Sequence, residues 1–154
     1  MSIEHILAEK GHTVITVEPE RTLLETARLL TESRIGAVVV GDADHPVLGI
    51  ISERDIARAV GQRGAAALDE AVSQNMTTKL VTCTRSYTVS NLMELMTDQR
   101  IRHVPVVEDG RLSGIISIGD IVKYRLAELE AERRAMHDYT ATEYSAGSTP
   151  HREF

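Results

Sequence analysis

The 154-residue sequence predicts a mixed α/β (α+β) fold built twice from one β-α-β-β-α unit. Three observations predict it. The chain repeats itself, each copy switches between strand and helix spacing in the same order, and the composition, 42% hydrophobic and 26% charged, is that of a globular protein. The repeat carries most of the weight. Val14-Ile15-Thr16-Val17 matches Leu80-Val81-Thr82-Cys83, 66 positions later. At that offset Thr22 meets Thr88, Leu29 meets Leu95, Arg34-Ile35 meets Arg100-Ile101, and Val38 and Val40 meet Val104 and Val106. One residue is then lost in a loop, and Gly49-Ile50-Ile51-Ser52 meets Gly114-Ile115-Ile116-Ser117 while Asp55-Ile56 meets Asp120-Ile121. Matching apolar and polar classes with a single loop indel is the signature of duplication.

A short β-rich run opens each copy, at residues 13–17 and 80–83, and ends in a polar turn. A helix follows from Thr22 or Thr88, whose hydroxyls suit the free N–H groups of a first turn. Leu23, Ala27 and Leu30, like Val89, Met93 and Met96, recur at i, i+4 and i+7, placing one apolar stripe toward a core. Two strands come next, 37–40 with 47–51 and 103–107 with 112–117, joined by loops with Gly, Asp or Pro turn chemistry. The unit closes on a helix over residues 53–60, or from 118 to about 136. Residues 65–72, rich in alanine, predict a short linking helix.

The copies divide as 1–75, with the N-terminal segment and linker, and 76–137, with an extended C-terminal helix. Residues 138–154 are expected to be a disordered tail, being polar and small from Thr140 onward. One unit of roughly 55 residues buries too little surface to stand alone, so the two sheets are expected to pack around a pseudo-twofold axis. Clefts between such copies are where small ligands sit.

Charge and composition exclude several functions. Net charge is −6, from 17 basic and 23 acidic side chains, which opposes nucleic-acid binding driven by phosphate neutralisation. No stretch approaches the roughly 18 apolar residues of a membrane span, and Glu4, His5 and Glu9 interrupt any secretory signal. A single cysteine, Cys83, fits a reducing compartment, so the expected location is cytoplasmic. Cys83 lies in a strand-like run and reads as a buried small apolar residue. The six histidines show no metal-ligand spacing, and no nucleophile elbow, Walker A or dinucleotide glycine motif is present, so no catalytic residue is assigned.

Three segments carry a further identification: Gly49-Ile50-Ile51-Ser52-Glu53-Arg54-Asp55, Ile101-Arg102-His103-Val104-Pro105-Val106 and Gly114-Ile115-Ile116-Ser117-Ile118-Gly119-Asp120. In register on the duplicated frame, they resemble the CBS-domain family, specifically stand-alone bacterial proteins made of two such repeats (a Bateman module). The resemblance covers roughly residues 10–123. It implies a module that binds AMP first, with ADP, ATP, NAD(H) or S-adenosylmethionine as alternatives. It also implies frequent homodimers and no catalytic domain.

Two readings of the Ser52/Asp55 and Ser117/Asp120 pairs stand side by side. Each is a capping box at a helix start, or each aspartate accepts the vicinal ribose hydroxyls while the serine faces ribose or phosphate. The resemblance favours the second. Arg54, in a first helical turn where the dipole gives it no help, favours a phosphate partner. The second copy has Gly119 there, so the two sites are not equivalent: either the second binds differently, or Arg102 or Lys123 meets its phosphate. The resemblance also marks base-facing positions: Ile15, Thr16, Ile35, Gly36, Ala37, Val81, Thr82, His103, Val104 and Pro105. For Ile15, Thr16, Val81 and Thr82 plain core packing stands as the equal alternative, and for His103 a partly buried strand histidine does. Lys10 is a further phosphate contact or a solvated lysine. The expected function is a non-catalytic adenine-nucleotide sensor of energy or redox state, working as a homodimer on a protein target. The competing reading is a constitutive scaffold dimer with no nucleotide.

Overall fold

The structure, a computed structural model, describes residues 3–11 and 14–147, with side chains as far as residue 140. By internal contact the chain divides into Met1–Ile118 and Gly119–Phe154. The strands of both copies lie in the first unit.

In the first copy β1 (Thr16–Val17) pairs parallel to β2 (Ala37–Val40), which pairs antiparallel to β3 (Gly49–Ser52). In the second, β4 (His103–Glu108) and β5 (Arg111–Ser117) form an antiparallel pair. The α2 helix (Leu23–Ser33) and its copy α4 (Val89–Gln99) start on Thr22 and Thr88, whose hydroxyls accept the N–H of Glu25 and of Asn91. Both helices end on a left-handed arginine, Arg34 (φ 55°) and Arg100 (φ 54°). The duplication extends to single hydrogen bonds. Glu53 N donates to Gly36 O at 2.9 Å, and Ile118 N donates to Arg102 O at 2.8 Å.

The opening strand of the second copy departs from expectation. Residues 80–83 form only one parallel bridge, Cys83 with Val106, in which Cys83 N donates to Pro105 O and Val107 N donates to Cys83 O. The next rung would run from the N–H of residue 105 to Val81 O. Pro105 has no N–H, so the ladder stops there.

The core stripe also differs by one position. Leu23, Thr26 and Leu30 are buried, and so are Val89, Leu92 and Met96, whereas Met93 is exposed. The buried spacing is i, i+3, i+7, with Ala27 half-buried at its shoulder. Thr26 is tolerated there because its hydroxyl donates to Thr22 O at 2.9 Å. Val38, Val40, Ile51, Ile56, Ala59, Ala67 and Val72 complete the first copy's core with Val17 and the α2 residues.

The link between copies is helical but not α. After α3 (Glu53–Arg63), Gly64 at φ 74° ends the helix, and 3-10 turns follow over Gly64–Asp69 and Val72–Gln74. Burying both Ala67 and Val72 requires the tighter path, and Arg63 clasps Glu70 and Asn75 across it. The chain then runs beside β3, where Thr77 bridges Ile50. Gly49 admits this approach, since a Cβ on it would lie 2.6 Å from Met76 Sδ and 2.9 Å from Thr77 O.

Two helical segments lie toward the ends of the chain. Residues Glu4–Lys10 form a helix, α1, that meets β5 through Leu7 against Gly114. The last helix, α5, runs Ile118–Gly147, extending past the expected end near residue 136 into the stretch read as tail. Elongating a helix costs far less than nucleating one, and alanine and glutamate within this stretch sustain it. The remainder of the expected tail, 148–154, lies outside the described residues. Among the described residues, no helix is long and apolar enough to cross a membrane.

Candidate functional site

The junction of β3 with α3 positions the candidate site. Ser52 ends the strand in extended conformation and caps the helix, with Asp55 N donating to Ser52 Oγ at 3.3 Å. Asp55 answers through one oxygen, Oδ2, which accepts from Ser52 N at 2.9 Å and from Ser52 Oγ at 3.0 Å. The capping box is therefore formed. The other oxygen, Oδ1, faces Arg58 at 3.7 Å. Asp55 stays only 15% exposed in its side chain, anchored with acceptor capacity remaining.

Opposite this junction the second copy contributes Arg100-Ile101-Arg102-His103, where α4 turns into β4. The two segments, with Gly36, Ile50 and Thr77, enclose a cleft of about 290 Å³. Glu53 and His103 both approach Gly36, where a Cβ would sit 3.5 Å from Glu53 Oε1 and from His103 Nε2. The lining holds four guanidinium groups, Arg54, Arg58, Arg100 and Arg102, against two carboxylates, Glu53 and Asp55. Arg58 is partnered by Asp55, and the side chains of Arg54, Arg100 and Arg102 make no hydrogen bond or ion pair among the described residues. The start of α3 adds its positive dipole end. This cleft attracts anions although the chain as a whole is acidic.

The other hollows lined by described residues differ in charge or in place. One of about 870 Å³ sets Arg85 and Arg111 among Glu4, Glu108 and Asp109, which offset them. Another, about 440 Å³, runs along α2 past Arg34, Ile35 and Gly36.

Of the residues predicted from sequence, Gly36, Ser52, Arg54, Asp55, Arg102 and His103 line the single cleft. Ile35 lines the neighbouring hollow along α2, and Thr16 lines a third hollow beside Arg21 and Glu25. Ala37, Val104 and Pro105 are buried in β2 and β4. Ile15 and Val81 are half-buried and Thr82 is exposed in the opening segments. Ser117 ends β5, Asp120 is half-buried in the first turn of α5, and Lys123 is exposed one turn on. Lys10 does not line this cleft; its ammonium donates to Ile115 O at 2.7 Å.

Sequence reading missed Arg58 and Arg100. The signal for Arg58 was its i+3 spacing from Asp55, which puts both on one helical face. For Arg100 it was an arginine standing directly after a helix, where glycine is the usual residue. Cys83 is buried, and burial first, then Glu108 nearby, pushes its thiol up to about 11. Among the described residues no cluster of histidine, cysteine and carboxylate side chains could hold a metal ion.

Comparison with known proteins matches the CBS domain at residues 11–62 and again at 70–127. The CBS-domain containing protein ATU1752 from Agrobacterium tumefaciens has 51% sequence identity and a TM-score of 0.78, over 81% of this chain and 99% of that one. The mitochondrial CBS domain-containing protein CBSX3 of Arabidopsis thaliana is 32% identical over 146 residues, 90% of this chain and 71% of its own length. The CBS domain pair of protein MJ0100, solved in complex with 5-methylthioadenosine and S-adenosyl-L-methionine, has 26% identity and a TM-score of 0.74 over 83% of this chain and 98% of that one. With both matches falling on the two halves of the internal duplication, the chain belongs to the CBS-domain family as a tandem pair of CBS domains.

Proposed function

We propose that this protein is a non-catalytic regulatory module that binds an adenine nucleotide, with AMP the first candidate, in the cleft between the β3–α3 junction and the α4–β4 turn. The single observation that carries this reading is the placement of Asp55. Its carboxylate is held by Ser52 at a helix start, in a cleft that also holds guanidinium groups with no partner among the described residues. A carboxylate suits the paired donors of a ribose diol, and guanidinium suits phosphate. The adenosine-derived ligands of MJ0100 support the class of ligand.

Regulation follows if the ligand binds two states unequally. A nucleotide spanning the cleft would touch α3 of the first copy and the Arg100–His103 segment of the second. It would therefore favour whichever arrangement brings these two segments together. A cytoplasmic protein target would read that change.

The test is thermal unfolding of the full chain with AMP, ADP, ATP, NADH, S-adenosylmethionine and GMP. A ligand at about 100 times its Kd adds about 2.7 kcal/mol, a rise of several degrees. Adenine compounds should stabilise, GMP should not, and Asp55→Ala should remove most of the shift. If no adenine compound moves the midpoint, the chain acts as a scaffold and the sensor reading is wrong.

A further inference from the structure

The hairpin tip of the second copy carries a charged hollow for which the first copy lacks the residues. We propose that this hollow binds a free basic α-amino acid, L-lysine or L-arginine, as a second ligand site separate from the cleft at Asp55.

The hollow, about 870 Å³, is lined by the tip of β4–β5, the start of α1 and the turn before α4. Arg85 and Arg111 stand in its wall with Glu4, Glu108, Asp109 and Ser113. Along β4, His103 at one end belongs to the Asp55 cleft and Glu108 at the other end to this hollow, about 17 Å away at roughly 3.3 Å per residue. The tip is fixed by its turn, since Asp109 and Gly110 both take positive φ, 50° and 74°.

Duplication separates what folding needs from what is added. Arg85, Arg111 and Ser113 fall where the first copy has Pro19, Pro46 and Leu48. A rim that folds with two prolines and a leucine does not require two guanidinium groups for its fold. Nor is Arg85 satisfied where it stands. Its Nε is buried with no hydrogen-bond partner among the described residues, and its Nη1 lies 4.0 Å from Glu4 Oε1, beyond hydrogen-bond length. Leaving a buried donor without an acceptor costs stability, and a ligand carboxylate against this guanidinium supplies one. Glu108 is held at the wall because its Oε1 accepts from the backbone N–H of Arg85 at 2.6 Å.

Charge then selects the ligand. Two guanidinium groups against three carboxylates leave the hollow one net negative charge. A simple anion is repelled overall, and a simple cation leaves the arginines unmet. A ligand that answers every charge carries one carboxylate and two cationic groups, which describes a basic α-amino acid. Its carboxylate suits the forks of Arg85 and Arg111, and its two cations suit Glu4, Glu108 and Asp109. These three carboxylates are spread over α1 and the hairpin tip and form no metal-binding group among the described residues. An elongated ligand with charge at both ends matches that spread.

Isothermal titration of the full chain with L-lysine, L-arginine, agmatine, L-norleucine and L-glutamate tests this. Agmatine is arginine without its carboxylate, and norleucine has no cation on its side chain. L-lysine or L-arginine should bind at least about tenfold more tightly than either, and glutamate should give no heat. Arg85→Gln with Arg111→Gln should weaken the amino acid at least about tenfold. Asp109→Asn, which keeps a residue tolerant of the left-handed turn, should weaken it severalfold. Asp55→Ala should leave it unchanged, so this site and the nucleotide reading stand or fall separately. Agmatine or norleucine binding as tightly as the basic amino acids overturns the proposal, as does glutamate binding more tightly than lysine. Unchanged affinity in the double arginine variant, loss of binding in Asp55→Ala, or no heat from either basic amino acid at millimolar concentration overturns it too.

Discussion

At the scale of single residues, Cys83 shows how duplication assigns a role. It occupies the position of Val17 in the first copy, and both side chains are buried. Burial disfavours the thiolate, and its thiol is raised from an ordinary 9.0 to about 11. At pH 8 the folded thiol is ionised to only about one part in a thousand. Thiol reagents such as Ellman's reagent should leave the folded protein unlabelled at pH 8 and label it fully in denaturant; prompt labelling without denaturant would contradict the burial. The linkage has a definite sign. Between pH 9 and 11 the unfolded chain loses this proton and the folded chain keeps it, so stability falls as pH rises through that window. Cys83→Val should abolish that part of the fall. The apolar, buried character of Cys83 was legible in sequence because a repeat partner stood beside it. Asp55 was half legible: residue type and spacing allowed both a cap and a ribose ligand, and spacing alone cannot tell one carboxylate oxygen from the other. In the fold Oδ2 is the capping oxygen and Oδ1 is turned toward Arg58.

At the scale of elements, the helix ends carry a paired test. A left-handed conformation costs a residue with a Cβ roughly 1–2 kcal/mol, and glycine avoids it at the expense of extra freedom in the unfolded chain. Arg34 and Arg100 both accept this cost, at φ 55° and 54°. Arg34→Gly should stabilise the protein by about 1 kcal/mol, roughly two to four degrees in midpoint, and leave ATP affinity unchanged. Arg100→Gly should gain similar stability and weaken nucleotide binding, since this arginine lines the cleft. Equal effects of both variants on ATP affinity would show that Arg100 has no contact of its own with the ligand. The helices and their Thr22 and Thr88 caps were readable because capping is local chemistry. The loss of the 80–83 strand was not read, although Pro105 announces it. Its consequence depends on which strand lies beside it, and local sequence does not hold that pairing. The face of α4 was misread for a related reason: Met93 and Leu92 are both apolar, and only packing decides which of two adjacent residues points inward.

At the scale of the whole molecule, the exposed face of α5 argues for self-association. Val122, Leu126, Leu129 and Met136 are 52–71% exposed and follow the 4-3-7 spacing of a coiled-coil seam, with Arg133 at the one polar seam position. Thirty residues of helix extend about 45 Å, and a stretch this exposed lacks the tertiary packing that normally sustains a helix. A second copy would supply it. Lys123 and Arg125 flank the first part of the seam, Glu130 and Glu132 the next, so a partner helix in either direction can set opposite charges beside each other. Leu126→Glu with Leu129→Glu should convert a dimer to a monomer, read as halved mass by light scattering on a sizing column. Arg133→Leu should tighten the dimer, because two buried guanidinium groups no longer oppose each other in the seam. The nucleotide cleft is lined within one chain, so the monomeric variant should still respond to ATP in thermal unfolding. A wild-type protein that remains monomeric at tens of micromolar would make α5 a solvated helix. A dimer that survives both glutamates would place the interface elsewhere. Loss of the ATP response together with the dimer would instead mean that the cleft closes only when two chains meet.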